Sequence, residues 1–194
     1  NFPDENLRNA LREHPAAIED GALINAEDVT ELDLWARDIT DMTGIALFPN
    51  LEVLNVSNNR FSQLDVSHNS KLKELRCSEC KLEQLTIGAS TNPDLEILEV
   101  RENLLTELNV AGMTKLAELN VERNRLQALA LDGCSSLRLL QCGDNLIKVL
   151  DLSDAVITDL GIWPNPVSVI LFKDGLSQDG KDVGTDQISG YSVG

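Results

Sequence analysis

The segments Leu51-Glu-Val-Leu54-Asn-Val56, Leu72-Lys-Glu-Leu75-Arg-Cys77, Leu95-Glu-Ile-Leu98-Glu-Val100, Leu116-Ala-Glu-Leu119-Asn-Val121 and Leu137-Arg-Leu-Leu140-Gln-Cys142 are copies of one template. Working outward, the first apolar position also falls on Val29 and Ile157, giving seven repeats spaced by 22, 21, 23, 21, 21 and 20 residues. A period of that length marks a solenoid, in which each unit leaves its apolar face to be covered by the next. Eight residues into the repeats stand Arg37, Asn59, Cys80, Asn103, Asn124, Asn145 and Asn165. Where a strand ends and the backbone swings away, inward-facing N–H and C=O groups need partners, and a short amide both donates and accepts. A stacked Asn column answers that need. Cys80 is a small buried stand-in, and Arg37 is a departure in the first, atypical repeat.

A second apolar set follows in each repeat: Leu64/Val66, Leu85/Ile87, Leu108/Val110, Leu129/Leu131, Leu150/Leu152 and Ile170/Phe172. Its alternation at period two predicts a short extended segment on the convex side and argues against a helix there. The expected architecture is an α/β solenoid of about seven coils, with a parallel concave sheet, short extended convex segments and an N-terminal helical cap. Residues 1–28 form that cap, 29–177 the array and 178–194 a C-terminal cap or linker. In the N-terminal cap, Asp4 is the N-cap of a helix whose apolar face is Leu7, Ala10 and Leu11 and which Pro15 ends. At the other end, Ile188, Tyr191 and Val193 alternate as a capping strand would, and a flexible leader to a further domain fits as well.

The formal charge of −16 weighs against nucleic acid, which needs a basic footprint, and against anionic lipid. Much of the acidity serves to keep a large surface soluble. No apolar run approaches the roughly 18 residues of a membrane span. The sequence opens on Asn1 and not on Met, which fits a signal segment either removed or omitted. Cys77-Ser-Glu-Cys80 has CxxC spacing, but the repeat register turns Cys77 and Cys142 inward and puts Cys134 near a closing turn. Cys77 and Cys142 are three coils, or about 14 Å, apart and cannot share a metal. Four buried structural thiols are expected, the alternative being a Cys77–Cys80 disulfide or metal site.

The pattern Leu-x-x-Leu-x-Val/Cys-x-x-Asn/Cys with a second Leu-x-x-Leu-x-Val, the cap Phe2-Pro-Asp…Leu7-Arg…Ala10-Leu11 and the stretch Asp33…Ile39-Thr-Asp…Gly44-Ile45 resemble bacterial leucine-rich repeat surface proteins of the internalin type. The repeats are similar to those of internalin J and of gut-bacterial surface proteins. The resemblance covers residue 1 to about 176. It implies a secreted or surface-attached protein of a kind that binds host proteins or mediates adhesion, and it transfers no contact residues. The sequence carries no wall-anchor motif and no following immunoglobulin-like domain, which leaves the mode of attachment open.

On the main strands the exposed positions are the third, fifth and seventh. The third reads Glu31, Val53, Glu74, Ile97, Glu118, Leu139, Asp159; the fifth Asp33, Asn55, Arg76, Glu99, Asn120, Gln141, Gly161; the seventh Trp35, Ser57, Ser78, Arg101, Glu122, Gly143, Trp163. Acidic neighbours separate Val53, Ile97 and Leu139, so no continuous apolar groove forms. Arg76 is expected to pair with Glu99, and Arg101 with Glu122, across adjacent strands. Trp35 and Trp163 share one column about 29 Å apart and cannot build one cage. Gly143 and Gly161 beside Trp163 would leave bare backbone, making a shelf for a sugar ring or a partner's side chain. The competing reading folds each Trp over its cap, with Tyr191 against Trp163.

His14 and His68 have no nucleophile and orienting acid set around them. Glu99 and Glu122 lie in a flat, wet, salt-bridged sheet that offers no dry pocket for acid catalysis, and Asp174-Gly…Asp179-Gly…Asp182 reads as turns in preference to a calcium site. The expectation is a non-catalytic, monomeric module at the cell surface, without cofactor or metal. It would recognise a protein or glycan through Trp163, Gly143, Gly161, Arg101, Glu122, Arg76, Glu99 and Trp35. A structural spacer displaying a neighbouring domain is the alternative, with an enzyme only a remainder.

Overall fold

Inward leucines at fixed register can be buried only if successive coils stack, and they do. A computed structural model of the chain describes residues 2–14, 18–19, 22–171 and 188–189. One all-parallel sheet runs through the coils in the order Glu31–Asp33, Val53–Asn55, Glu74–Arg76, Ile97–Glu99, Glu118–Asn120, Leu139–Gln141, Asp159–Gly161, with Ile188–Ser189 added at the far edge. Each strand is three residues long except the last, and its middle residue points inward: Leu32, Leu54, Leu75, Leu98, Leu119, Leu140 and Leu160 are all buried in one core. Ile188–Ser189 pairs with Leu160 and Gly161, where a capping strand was anticipated. Tyr191, Val193 and the Asp174–Asp182 segment lie outside the described residues.

The N-terminal helix spans Glu5–Glu13 and buries Leu7, Ala10 and Leu11 against the first coil. Asp4 caps it, accepting from the Leu7 N–H at 2.8 Å, while its other oxygen takes the N–H and hydroxyl of Thr40 at 2.9 and 2.8 Å. One carboxylate thus starts the helix and fastens it to coil 1. Burial works against its charge, but the bonds from Leu7 and Thr40 more than offset this and hold its pKa below the usual carboxylate value. Arg37, the oddity in the Asn column, reaches Glu13 at 2.8 Å and links helix to array a second time.

The convex side is extended where the alternation begins. Gln63–Asp65 pairs with Gln84–Thr86, Val149–Asp151 with Val169–Leu171, and Asn109 bridges Ala130. These pairings join the second coil to the third, the fourth to the fifth and the sixth to the seventh. Coil 1 differs, taking a 3-10 turn at Ile45–Leu47 after Gly44, whose φ of +109° suits glycine alone. A Cβ there would also overlap the Phe2 ring, which packs on Phe48 with centroids 6.1 Å apart.

The turns closing the main strands carry the Asn column. Asn103 donates to the carbonyls of Cys77 and Val100 at 2.8 and 3.0 Å and accepts from the N–H groups of Cys80 and Leu82 at 3.0 and 2.9 Å. Asn59, Asn124, Asn145 and Asn165 repeat the pattern, each joining its own coil to the one before. Cys80 keeps half of it, with its thiol directed to the Val56 and Ser78 carbonyls at 3.2 and 3.3 Å. The residue before the column position has positive φ in six coils (Ala36, Asn58, Glu79, Glu102, Arg123, Asp144), although none of these is glycine. In the seventh coil that place is Pro164, whose ring fixes φ in the negative range.

A second buried column, which the sequence did not reveal, stands three residues before five of the seven repeats: Phe48, Asn69, Asn92, Met113 and Cys134. Asn69 donates to the carbonyls of Ile45 and Phe48, Asn92 to those of Val66 and Asn69, and the Cys134 thiol lies 3.2 Å from the Val110 carbonyl.

All four cysteines are free thiols with no measurable exposure. Burial pushes Cys80 and Cys134 up to about 11 and Cys142 to about 12, and raises Cys77 well above its ordinary value, so none is a thiolate near neutrality. Titration with a thiol reagent at pH 8 should leave the native chain silent and find four thiols on unfolding; finding two would mean a Cys77–Cys80 bond. Asn103→Ala strands four buried backbone groups and should cost about 3 kcal/mol in urea unfolding. Asn103→Cys should recover part of that loss. A loss no larger than that of Asn50→Ala, which removes two exposed hydrogen bonds, would show the column to be dispensable.

Candidate functional site

Alternation along each strand puts the third and fifth residues of every coil on the open face of the sheet, and the turn that follows presents the seventh. The sheet register makes the third positions a continuous row, pairing Glu31 with Val53, Val53 with Glu74, Glu74 with Ile97, Ile97 with Glu118, Glu118 with Leu139 and Leu139 with Asp159. The row therefore alternates carboxylate and aliphatic from one end to the other.

In the fifth column Arg76 lies directly opposite Glu99, and its Nε is 3.3 Å from a Glu99 carboxylate oxygen. A second contact binds it to Glu74 on its own strand. Arg101 does not pair with Glu122. Its guanidinium lies 3.2 Å from Glu79 in the preceding coil and 2.9 Å from Glu102 beside it, because it follows the turn outward and leaves Glu122 behind. Arg123 ties Glu102 in at 2.7 Å. These pairs are partly exposed, and each contributes at most about 1 kcal/mol. Their collective effect is to connect coils along an acidic surface.

The two tryptophans stand open at the ends of the seventh column, Trp35 at 55% exposure and Trp163 at 65%. Neither is folded away into the described core. The anticipated bare shelf beside Trp163 is filled. Gly143 is buried, and a Cβ on it would collide with the Trp163 carbonyl oxygen. Gly161 is covered by the Gln141 carboxamide, which also donates to Asp159 at 3.0 Å. Gly143 thus lets the last coil approach, and the open surface belongs to the Trp163 ring.

On the convex side a cleft of about 440 Å³ lies between the coil-1 turn (Asp41–Ala46) and the strands Gln63–Asp65 and Gln84–Thr86, with His68 at its rim. Sequence reasoning missed it; the signal was Gly44 and the missing alternation in coil 1. Beside it Ser67 Oγ lies 3.2 Å from Nδ1 of His68, which lines the cleft. Asp65 accepts from Ser67 and not from the imidazole. A relay in which the acid orients the histidine is therefore not formed. No group of three or more potential ligands among the described residues could hold a metal.

The architecture is shared with solved structures. An internalin (InlF) of Listeria monocytogenes matches over 82% of this chain and 52% of its own, at 22% identity and a TM-score of 0.65. The functional domain of InlJ from the same organism, described as including a cysteine ladder, matches over 86% of this chain and 42% of its own, at 27% identity and a TM-score of 0.63. The fold is an internalin-like leucine-rich repeat. The chain spans about half the length of these two structures. No protein-family model and no curated protein matches it. No helix among the described residues is long and apolar enough to cross a membrane.

The two glycines separate on substitution. Gly143→Ala sets a methyl against rigid backbone and should destabilise by about 1–3 kcal/mol, read as a lowered thermal midpoint. Gly161→Ala meets only the end of the Gln141 side chain, which can swing aside, and should leave the midpoint nearly unchanged. Equal losses would contradict this assignment of their roles.

Proposed function

We propose that the chain is a non-catalytic recognition module, displayed outside the cell, that engages a macromolecular ligand through its concave face. The observation that carries this reading is the pair of tryptophans, both more than half exposed on the open side of the sheet. Large aromatic side chains left in water at such positions are frequent interface anchors. The Arg76–Glu99 pair, Arg101 and Glu122 supply the polar surroundings, and a ligand would exchange partners with them at small energetic expense. A protein ligand fits this charged, aromatic-edged face best; a glycan stacked on Trp163 is the second candidate. The internalin-like fold supports a binding role, and surface display is inferred from the company that fold keeps.

One observation favours a purely structural role. The sheet's arginines already have carboxylate partners within the chain, as a passive, solvated spacer would require. Capture of the chain on immobilised extracellular proteins and polysaccharides at physiological salt separates the two. The recognition reading expects a saturable ligand whose affinity falls at least about tenfold in Trp163→Ala with the thermal midpoint retained. No ligand across the panel would favour the spacer.

A further inference from the structure

The third-position row has a property that the neighbouring columns lack. Carboxylates stand on every second strand, at Glu31, Glu74, Glu118 and Asp159, with Val53, Ile97 and Leu139 between them in unbroken register. Keeping like charges off adjacent strands explains the separation of the acids. It does not explain the aliphatics, because the fifth column separates Asp33 from Glu99 with the polar Asn55 and Arg76. Val53, Ile97 and Leu139 are half-buried and form apolar steps between the charges. The carboxylates of Glu31 and Glu118 have no hydrogen-bond or ion-pair partner among the described residues, whereas that of Glu74 contacts Arg76 and that of Asp159 accepts from Gln141.

The spacing selects the shape of an occupant. Alternate strands are about 9.4–9.8 Å apart. A polyproline II helix advances about 9.3 Å in three residues and returns the same face to the floor at each step. An α-helix needs a heptad, about 10.5 Å, and slips by roughly 3 Å over the row. A β-strand turns residues three apart to opposite faces.

We infer that the concave face takes a basic segment in the polyproline II conformation, laid across the strands with Lys or Arg at every third residue. This rests on the reading of the chain as a recognition module. The basic heads meet Glu31, Glu74, Glu118 and Asp159, and their methylene stems and the intervening residues lie on Val53, Ile97 and Leu139. At a net charge of −16 a second copy of the chain is repelled, and a cationic partner is drawn in.

The test uses a synthetic peptide of about four Pro-Pro-Arg triplets and an isomer of equal charge with Arg at every second position followed by a proline block. Titrated against the full chain at physiological salt, the triplet peptide should bind at least about tenfold tighter than the isomer. Glu118→Gln and Glu31→Gln should each weaken it about two- to five-fold, and Glu107→Gln, away from the row, should not. Equal binding of the two peptides would reduce the effect to unspecific charge attraction and overturn the inference. So would no binding at millimolar peptide, or indifference to Glu118→Gln. A ligand from the capture panel that depends on Trp163 while both peptides fail would sink this inference and leave the recognition role standing.

Discussion

The structure depends on satisfying backbone groups at one corner of every coil. There the chain leaves the main strand through a left-handed residue that is not glycine in six coils and through Pro164 in the seventh, and the carbonyls and N–H groups it exposes face inward. Water cannot reach them, so a side chain must serve, and it must do so for two coils at once. Asn59, Asn103, Asn124, Asn145 and Asn165 meet that demand, each donating to its own coil and the one before and accepting from the latter. The leucines supply the driving force for stacking; the amides fix its geometry. Burying the leucines without the amides would leave polar backbone orphaned in the core, a loss comparable to the gain from a buried side chain.

Cys80 shows how narrow the alternatives are. Its thiol reaches two carbonyls of the kind an amide would serve, at distances ordinary for sulfur. It is the only buried exception among the column positions; Arg37, at the open end, escapes the constraint by turning to the cap helix. The second column tolerates more. Phe48, Asn69, Asn92, Met113 and Cys134 share burial and little else, because space filling is required at each of these five levels and hydrogen bonding only at some.

That contrast explains what could be read from the amino acids. The main strands, the Asn column, the cap helix with Asp4 and the extended convex segments were legible, because each rests on a residue type repeated at fixed spacing. The second column was hidden by its mixed chemistry. Arg101 was misassigned because a long side chain just past a strand end has carboxylates on several sides, and strand register alone pointed to Glu122 when Glu79 and Glu102 were nearer. The glycines near Trp163 were read as an open shelf because a missing side chain looks like space; Gly143 is missing one because the next coil's carbonyl occupies that space. The two tryptophans were legible as members of one exposed column; whether each ring stood open or folded over its cap was not.

The two walls of the coil differ as mechanical parts. The inner wall is a continuous parallel sheet that cannot lengthen without breaking hydrogen bonds along its whole extent. The outer wall is uneven: strand pairing joins its coils two by two, and single backbone bonds, such as Leu104 N–H to the Leu82 carbonyl and Leu146 N–H to that of Leu126, cross the levels between. Register on the inner face is therefore held at every level by the sheet itself, whereas the outer wall carries strand pairing at three of its six levels and leaves the others to isolated hydrogen bonds.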